Sequence, residues 1–429
     1  SLGRSITKVI SETVPLTDTI TGDKEIRLVE LSETISLADS VSKKFDISLS
    51  ESIRLSDSVP SVPNIVAKDH EINGENGWTL ILNPNAAKVF TIDGNTYAVI
   101  TSRSEQNFPQ EPYDGVRIID ITDPANIVAK DTLTDTASVG MRLADPTSVE
   151  TFTLTGEYAG TYAIVTSQFD HGVQVINISD PANISSSGFA KDGDGQPAAG
   201  ELQGASGVDT FVIGASTYAI VASTIDNGVQ ILDVSNPNIN LSRSGIATDE
   251  LTDSGSLELQ GARSVEIFTL TGAHAGTYAI VTGYNDDGVQ IIDVSDPANI
   301  VATDAITDTG SLELDGASGV DTFVIGASTY AIVTADVDHG VQIIDVSDPT
   351  NIVAKDSETD GANGFTELEG AYGAEAFTLG VSTYAIVTSL ADDGVQIIDV
   401  SDPTNIVAKD SVTDDSSLVL DGAKGNNVA

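Results

Sequence analysis

The sequence predicts an all-β fold, a β-propeller of six complete four-stranded blades, and three observations lead to this prediction. The phrase Thr-Tyr-Ala, followed by two branched aliphatic residues, occurs six times. Each copy is followed, after a short acidic turn, by a segment similar to Gly-Val-Gln-Ile-Ile-Asp-Val-Ser-Asp-Pro. The repeat is 52 to 65 residues long and shows no helical period, which is typical of a propeller blade. The six tyrosines are Tyr97, Tyr162, Tyr218, Tyr278, Tyr330 and Tyr384.

Each repeat contains four strand signals. In the fifth repeat they are residues 319–325, 329–334, 340–346 and 351–356, which are rich in β-branched and aromatic residues and are separated by Gly, Asn, Asp and Pro. The second strand is apolar on both faces. A strand of this kind is expected where a sheet is covered on both sides, as a blade is between its two neighbours.

The turn between the second and third strands has the form Asp-X-Gly, and we expect its glycine to take positive φ. His171 and His339 occupy the middle position of this turn, where other repeats have asparagine or aspartate. We therefore interpret both histidines as turn residues. His70 has no counterpart in other repeats, and a single histidine does not make a metal site.

The next turn, Asp-Val-Ser-Asp-Pro, predicts carboxylates and a hydroxyl that accept backbone N–H groups while proline restricts φ. The longer segment from Gly288 to Val301, Gly-Val-Gln-Ile-Ile-Asp-Val-Ser-Asp-Pro-Ala-Asn-Ile-Val, resembles the LVIVD-repeat family. That family forms propellers in secreted and cell-surface proteins of bacteria and archaea. The resemblance covers residues 63–429. It implies the fold and an extracellular or cell-surface location, but no particular chemistry.

The two ends of the array carry fragments of a further blade. Residues 63–69 read as a fourth strand, and residues 420–429 read as a first strand, so a partial seventh blade is expected. Residues 1–62 form a separate β-rich segment with three alternating motifs, which begin at Glu12, Glu33 and Glu51. This segment is similar to the low-complexity stalks of large archaeal surface proteins. The predicted domains are therefore 1–62, the N-terminal segment, and 63–429, the acidic propeller.

Three placements of the N-terminal strands remain open. They could close the seventh blade within the molecule, add to a sheet of a second copy or another surface protein by β-augmentation, or form an extended stalk. The second placement makes the chain itself, or another surface protein, the partner. The first residues lack the apolar core of a signal peptide and an initiating Met, so we expect a mature or partial chain.

The net charge of −45 excludes several classes of partner. Residues 1–62 carry ten acidic and seven basic side chains, which leaves a charge of −42 on residues 63–429. A field this negative repels nucleic acid and anionic membranes. No apolar run is long enough for a membrane-spanning helix, and cysteine is absent, which excludes disulfides and thiol chemistry.

One set of acidic residues shares a register on the first strand of successive blades, the strand that lines the channel of a propeller. If these side chains converge on the axis, they could hold a cation, and Ca²⁺ suits ligands that are all oxygen. A solvated rim near the channel mouth is the alternative. In the first blade the same position is Lys88. The candidate ligands are Glu150, Asp209, Glu266, Asp321 and Glu375.

Two further motifs have weaker interpretations. Residues 192–196 with Glu201 resemble a calcium loop, but Pro197 stands where the loop needs glycine, so we expect an insertion loop. Asn177, Asn183 and Asn240 fit the pattern of N-glycosylation acceptors.

The leading functional hypothesis is a non-enzymatic extracellular protein that acts as a structural or adhesive module at the cell surface. The alternative is a subunit of an extracellular filament assembled by strand exchange or β-augmentation. A more distant alternative is a propeller hydrolase or lyase with a cation in its channel. No catalytic or cofactor-binding residue is assigned. An enzyme should show one blade with unmatched polar residues, and only the first blade deviates, with Lys88, Arg103, Arg117 and an insertion at 104–113.

Overall fold

A computed structural model describes residues 68, 83–103, 114–135, 141–192, 200–238 and 247–414. These residues form six separate four-stranded antiparallel sheets, with two 3₁₀ turns as the helical elements of the described chain. The prediction of six four-stranded blades is confirmed. The predictions for residues 1–62 and 420–429, and for all of 63–69 except Lys68, lie outside the described residues.

The first three blades follow one order, in which each strand pairs with the next along the chain. Blade one contains β1 (Pro84–Ile92), β2 (Asn95–Ser102), β3 (Gly115–Asp120) and β4 (Val128–Thr134). Blade two contains β5 (Pro146–Leu154), β6 (Gly160–Ser167), β7 (Gly172–Asn177) and β8 (Ser185–Lys191). Blade three contains β9 (Ala205–Ile213), β10 (Ser216–Ser223), β11 (Gly228–Asp233) and β12 (Ala247–Thr252).

The remaining blades have the same order, and the 3₁₀ turns at Gly156–Tyr158 and Gly272–His274 join the first two strands of blades two and four. Blade four contains β13 (Ala262–Leu270), β14 (Gly276–Gly283), β15 (Gly288–Asp293) and β16 (Val301–Thr307). Blade five contains β17 (Ala317–Ile325), β18 (Ser328–Ala335), β19 (Gly340–Asp345) and β20 (Val353–Thr359). Blade six contains β21 (Ala371–Leu379), β22 (Ser382–Ser389), β23 (Gly394–Asp399) and β24 (Val407–Thr413).

The first strands of successive blades pack against one another, from β1 to β21, and are therefore the inner strands of the propeller. The core lies between neighbouring blades. Val99 and Ile118 of blade one, for example, form one cluster with Val165 and Ile176 of blade two, and all four side chains are fully buried. Within each blade, a phenylalanine of the first strand stacks on the repeated tyrosine of the second, with ring centroids 5.6 to 5.8 Å apart.

The Asp-X-Gly turns confirm the interpretation of the two histidines and correct the prediction for the glycine. His171 and His339 each have φ of 56°, in the left-handed region. The Nδ1 atom of His171 accepts the N–H of Gly204 in the next blade at 3.2 Å. The glycine that follows the histidine does not take positive φ, because it already belongs to the third strand. Its lack of a side chain has another cause: at Gly172 a Cβ would collide with the carbonyl oxygen of Ala190.

The Asp-Val-Ser-Asp-Pro turns behave as predicted. In blade four the N–H of Ser295 donates to Oδ1 of Asp293 (2.9 Å), and the hydroxyl of Ser295 accepts the N–H of Thr277 (3.0 Å). The N–H of Ala298 donates to Oδ1 of Asp296 (3.2 Å). These bonds satisfy backbone groups that have no partner in the sheet.

A second set of aspartates links each blade to the next. Oδ2 of Asp304 on β16 accepts the N–H of Ile352 in blade five at 2.8 Å, and Oδ2 of Asp356 accepts the N–H of Ile406 in blade six at 2.7 Å. The same bond joins blade one to blade two and blade three to blade four. The recurring aspartate of the fourth strand is therefore structural.

We predict that Asp304→Ala lowers the free energy of unfolding by about 1–3 kcal/mol, because it removes the acceptor of a partly buried N–H. Asp296→Ala is the matched control: it removes an exposed turn acceptor and should cost less than about 1 kcal/mol. Urea unfolding of both variants measures the difference. Equal losses would show that the link between blades contributes no more than an exposed turn.

Candidate functional site

A ring of charged side chains lies on the inner strands. Glu150, Asp209, Glu266, Asp321 and Glu375 each pair with an isoleucine of the second strand in their blade, and Lys88 occupies the same register in blade one. The predicted common register is thus confirmed by the strand pairing. The ring lies three residues along the inner strands from the pocket described below, a distance of about 10 Å at 3.3 Å per residue.

The two aspartates of this ring bridge neighbouring blades. Oδ1 of Asp209 accepts the N–H of Thr210 (2.6 Å), and Oδ2 accepts the N–H of Ile267 in the next blade (2.7 Å). Asp321 makes the same pair of bonds to Thr322 and to Ala376 of blade six. The shorter side chain therefore serves to join inner strands.

Lys88 supplies positive charge within the ring. Its Nζ lies 2.8 Å from Oε2 of Glu150. Burial by itself would lower the pKa of Lys88, but the adjacent Glu150 raises that pKa above its ordinary value. Burial raises the pKa of Glu150, and Lys88 opposes the rise.

The other four ring carboxyls have pKa values above those of ordinary carboxyls. Burial, followed by the charge of Glu150, raises the pKa of Asp209 to about 7, and burial raises the pKa of Asp321 to about 6. Burial and the charge of Asp321 raise the pKa of Glu375 to about 8. Burial, with Asp209 and Asp321 nearby, raises the pKa of Glu266 well above its ordinary value. These carboxyls therefore keep their protons to a higher pH than exposed carboxyls do.

Calcium binding by the ring stays a prediction. Across the described ranges, no group of three or more His, Asp or Glu side chains is arranged to hold a metal ion. Lys88 places a cation of the chain's own among the carboxylates, and the raised pKa of Glu375 further reduces the negative charge that would attract Ca²⁺.

A pocket with a volume of about 410 Å³ opens where the inner strands begin. We call it the mouth pocket. Its lining residues come from five blades, which places it at the mouth of the axial channel. One set lies at equivalent positions near the start of the inner strands: Asn85, Thr147, Ser206, Arg263 and Tyr372. A second set lies just after the second strands: Arg103, Gln168, Thr224 and Tyr284. Gly261 and Asn285 complete the lining.

Arg263 is held on several sides. Its guanidinium carbon lies 4.6 Å from the ring centroid of Tyr284 and 4.4 Å from that of Tyr372. Its Nη1 donates to the hydroxyl of Ser318 (2.8 Å) and lies 3.9 Å from Oδ2 of Asp336, which also accepts the hydroxyl of Tyr284 (3.3 Å). These contacts restrain the guanidinium within the pocket lining.

Arg103 lies in another part of the lining, 3.6 Å from Oδ1 of Asp145. Asp145 has φ of 53°, whereas blades three to six have glycine with positive φ at the equivalent position, namely Gly204, Gly261, Gly316 and Gly370. A buried aspartate in this conformation is uncommon, and strained residues of this kind cluster at functional sites.

The first-blade residues that deviate in the sequence have separate locations. Lys88 belongs to the carboxylate ring, Arg103 to the mouth pocket, and Arg117 is buried on β3, where the other five blades have glutamine. The insertion at 104–113 lies outside the described residues. No motif in the sequence marked Asn85, Arg263, Tyr284 or Tyr372 as functional residues. Alignment of the repeats could have found Arg263, because Ser206 and Ser318 occupy its position in the neighbouring blades.

The candidate glycosylation sites differ in environment. Asn177 ends β7, and its Oδ1 accepts the N–H of Ser179 (3.0 Å), whereas Asn183 is exposed. Asn240 and most of the predicted insertion loop at 192–199 lie outside the described residues.

Glu201 is buried, and its Oε1 accepts the hydroxyl of Thr252 (2.7 Å). In the part of the chain that the structure covers, no helix is long and apolar enough to cross a membrane.

Comparison with known families identifies four LVIVD repeats, at residues 215–243, 275–306, 328–359 and 384–414. The resemblance noted in the sequence is thereby confirmed, and the chain is consistent with an LVIVD-repeat β-propeller. A comparison with curated proteins gives no match.

Solved structures with a similar fold include three propellers that bear lactonase names. Proteins assigned as 6-phosphogluconolactonases from Bacteroides fragilis and Bacteroides uniformis are both 13% identical, with TM-scores of 0.53 and 0.54. The similarity covers 78% of this chain and 85% or 87% of theirs. The periplasmic gluconolactonase of Pseudomonas aeruginosa is 12% identical, with a TM-score of 0.52 over 76% of this chain and 84% of its own.

These neighbours correct the functional hypotheses drawn from the sequence. The prediction of a non-enzymatic structural or adhesive protein, with a filament subunit as its alternative, is wrong: lactonase-named propellers share the fold. The physical reason lies in the mouth pocket. Regular repeats suggested that equivalent positions carry equivalent structural roles, but at the mouth five of the blades contribute different polar side chains.

We predict that Glu375→Gln reduces the loss of stability at high pH. The folded protein holds the proton of Glu375 more tightly than the unfolded chain does, so stability falls as pH rises from about 4.5 towards about 8. The glutamine variant avoids the buried charge. Its melting temperature should exceed that of the wild type by about 2–4 °C at pH 8.5 and match it at pH 5. Glu157→Gln, on an exposed turn, is the control, and an equal shift in both variants would contradict the prediction.

We also predict that Lys88→Met destabilises the protein by about 3 kcal/mol, because it leaves Glu150 without its cation. The double variant Lys88→Met, Glu150→Gln should recover at least half of that loss, since it removes the uncompensated charge as well. Urea unfolding at pH 8 measures both. If the double variant is no more stable than the single one, the ion pair is not what stabilises the ring.

Proposed function

We propose that this LVIVD-repeat propeller is a hydrolase that opens cyclic esters of the sugar-acid lactone type, with the mouth pocket as its active site. The observation that carries the proposal is the pocket itself. It has a volume of about 410 Å³ at the channel mouth and a polar lining that differs from blade to blade. A concave site with a few oriented polar groups is the usual form of a small-molecule site. The lactonase names of three structural neighbours support the choice of reaction.

Arg263 is proposed to polarise the ester carbonyl. Two tyrosine rings and Ser318 hold its guanidinium in place, so the charge is already oriented before the substrate binds. A donor fixed in this way stabilises the negative charge that develops on the carbonyl oxygen during attack by water.

Asp336, which contacts Arg263 and Tyr284 of the lining without belonging to the lining itself, is proposed as the general base. Its Oδ2 lies 3.9 Å from Nη1 of Arg263, so a water molecule on Asp336 would be close to a carbonyl bound by that arginine. The carboxylate takes a proton from the attacking water, and the oxygen of that water bonds to the carbonyl carbon. The bond between this carbon and the ring oxygen then breaks. The ring oxygen receives the proton from Asp336, and the product is the open hydroxy acid.

A partial seventh blade formed by residues 63–69 and 420–429 remains part of this proposal. Each inner strand from β1 to β21 packs closely against the next, but within the described residues β21 and β1 lack packing of that extent. A further blade between blades six and one would cover both edges. Extracellular location, glycans and pairing of residues 1–62 with β-strands also remain proposals.

The hydrolase is tested with D-glucono-1,5-lactone, by titrating the acid released and subtracting spontaneous hydrolysis. We expect hydrolysis by the full chain above the spontaneous rate. Arg263→Met and Asp336→Asn should each lower kcat/KM about 100-fold or more. Arg142→Gln is the matched control, because Arg142 stacks on Phe189, and neither residue lines the mouth pocket.

The proposal fails if the wild type does not exceed the spontaneous rate with the glucono-lactone, its 6-phosphate or other aldonic lactones. It also fails if the two pocket variants, folded as judged by their melting temperatures, keep the activity of the Arg142→Gln control.

A further inference from the structure

We infer that the mouth pocket selects an uncharged polyhydroxylated ring, so that the substrate is an unphosphorylated sugar-acid lactone. This inference rests on the proposed function, because the ring is a substrate only if the protein is the proposed hydrolase. The choice between a neutral and a phosphorylated ring depends on separate observations, which concern Asn85 and the balance of charge around the two arginines.

Asn85 presents an acceptor that needs a donor. The side chain is only 3% exposed, and its Nδ2 donates to the carbonyl oxygens of Pro146 and Thr147, both at 3.2 Å. These two acceptors determine the orientation of the amide, because the flipped amide would place its oxygen against two carbonyl oxygens. Among the described residues, Oδ1 of Asn85 then has no hydrogen-bond partner. A buried acceptor without a donor is costly, and because Asn85 lines the mouth pocket, a ligand hydroxyl that reaches Oδ1 would satisfy it.

The charges of the pocket are already balanced. Arg103 is paired with Asp145, and Arg263 lies 3.9 Å from Asp336. The other lining residues are uncharged: amides, hydroxyls, tyrosines and one glycine. A phosphate carries about two negative charges at neutral pH, and in the described lining it would meet no unbalanced cation.

The field of the whole chain acts in the same direction. A net charge of −45 opposes the approach of a dianion but not that of a neutral ring. Two tyrosine rings also lie against the guanidinium of Arg263, which leaves less room beside it for a phosphate than for one carbonyl oxygen. A neutral lactone can enter the pocket without electrostatic cost, and the anionic hydroxy acid formed from it is then repelled.

Calorimetric titration of the full chain tests this inference with two rings that cannot be hydrolysed, D-gluconolactam and its 6-phosphate. We expect the lactam to bind at least tenfold more tightly than the phosphate in low salt. The difference should narrow as salt screens the field. Asn85→Ala should weaken lactam binding about five- to tenfold, whereas Asn183→Ala, on an exposed turn, should leave binding unchanged.

A series of deoxy-lactams assigns the hydroxyl that Asn85 accepts. Removal of that hydroxyl should weaken binding to the wild type but not to Asn85→Ala, as in a double-mutant cycle. If Asn85→Ala fails to fold, the deoxy series with the wild type decides alone, since at least one deoxy-lactam must then bind five- to tenfold more weakly.

The inference is overturned if the phosphorylated lactam binds as tightly as the neutral one, or if no deoxy-lactam loses affinity. These results are distinct from failure of the hydrolase. Lactam binding with the expected coupling but no lactone hydrolysis would leave a neutral polyol site without that activity. Hydrolysis that favours the 6-phosphate would retain the hydrolase and reject the neutral substrate.

Discussion

Burial of both faces of every blade is the constraint on which this structure depends. A blade whose second strand is apolar on both sides cannot cover either face alone, so each sheet must pack between two others. Val99 and Ile118 of one blade and Val165 and Ile176 of the next share one core and are fully buried. The rotation from blade to blade brings the inner strands together around an axis. The channel and its mouth pocket are consequences of this packing.

Apolar contact between blades is non-directional, and hydrogen bonds between neighbouring blades add directional contacts to it. Asp304 on an outer strand and Asp209 on an inner strand each accept a backbone N–H from the following blade. In the Asp-X-Gly turns, the middle residue, which is histidine, asparagine or aspartate, also accepts a backbone N–H from the following blade. Most of these acceptors are carboxylates. Much of the acidity of the repeats therefore has a structural use, because a carboxylate accepts backbone N–H groups strongly.

The same repetition explains how a regular scaffold can present an irregular site. Near the start of the inner strand, one position lines the mouth pocket in five blades, which place asparagine, threonine, serine, arginine or tyrosine there. Several of these side chains bond to the next blade, but the core itself consists of the apolar clusters between sheets, so the residue at this position can differ from blade to blade. The carboxylate ring three residues further along is more uniform, and two of its members bridge neighbouring blades. Chemistry is accordingly expected at the mouth, and the ring contributes charge and stability.

The sequence by itself determined the six complete blades, the four strands in each and the structural role of the repeated turns, because all of these depend on local signals that recur six times. It also placed Glu150 and its counterparts in one register, since strand position follows from the repeat. Only the tertiary structure decided which positions meet across the axis. Arg263 contacts Tyr284 of its own blade together with Ser318 and Tyr372 of the next two, and Asn85 reaches the backbone of blade two. These contacts join residues far apart in the chain. They depend on the angle between sheets, which the local pattern of one repeat does not specify.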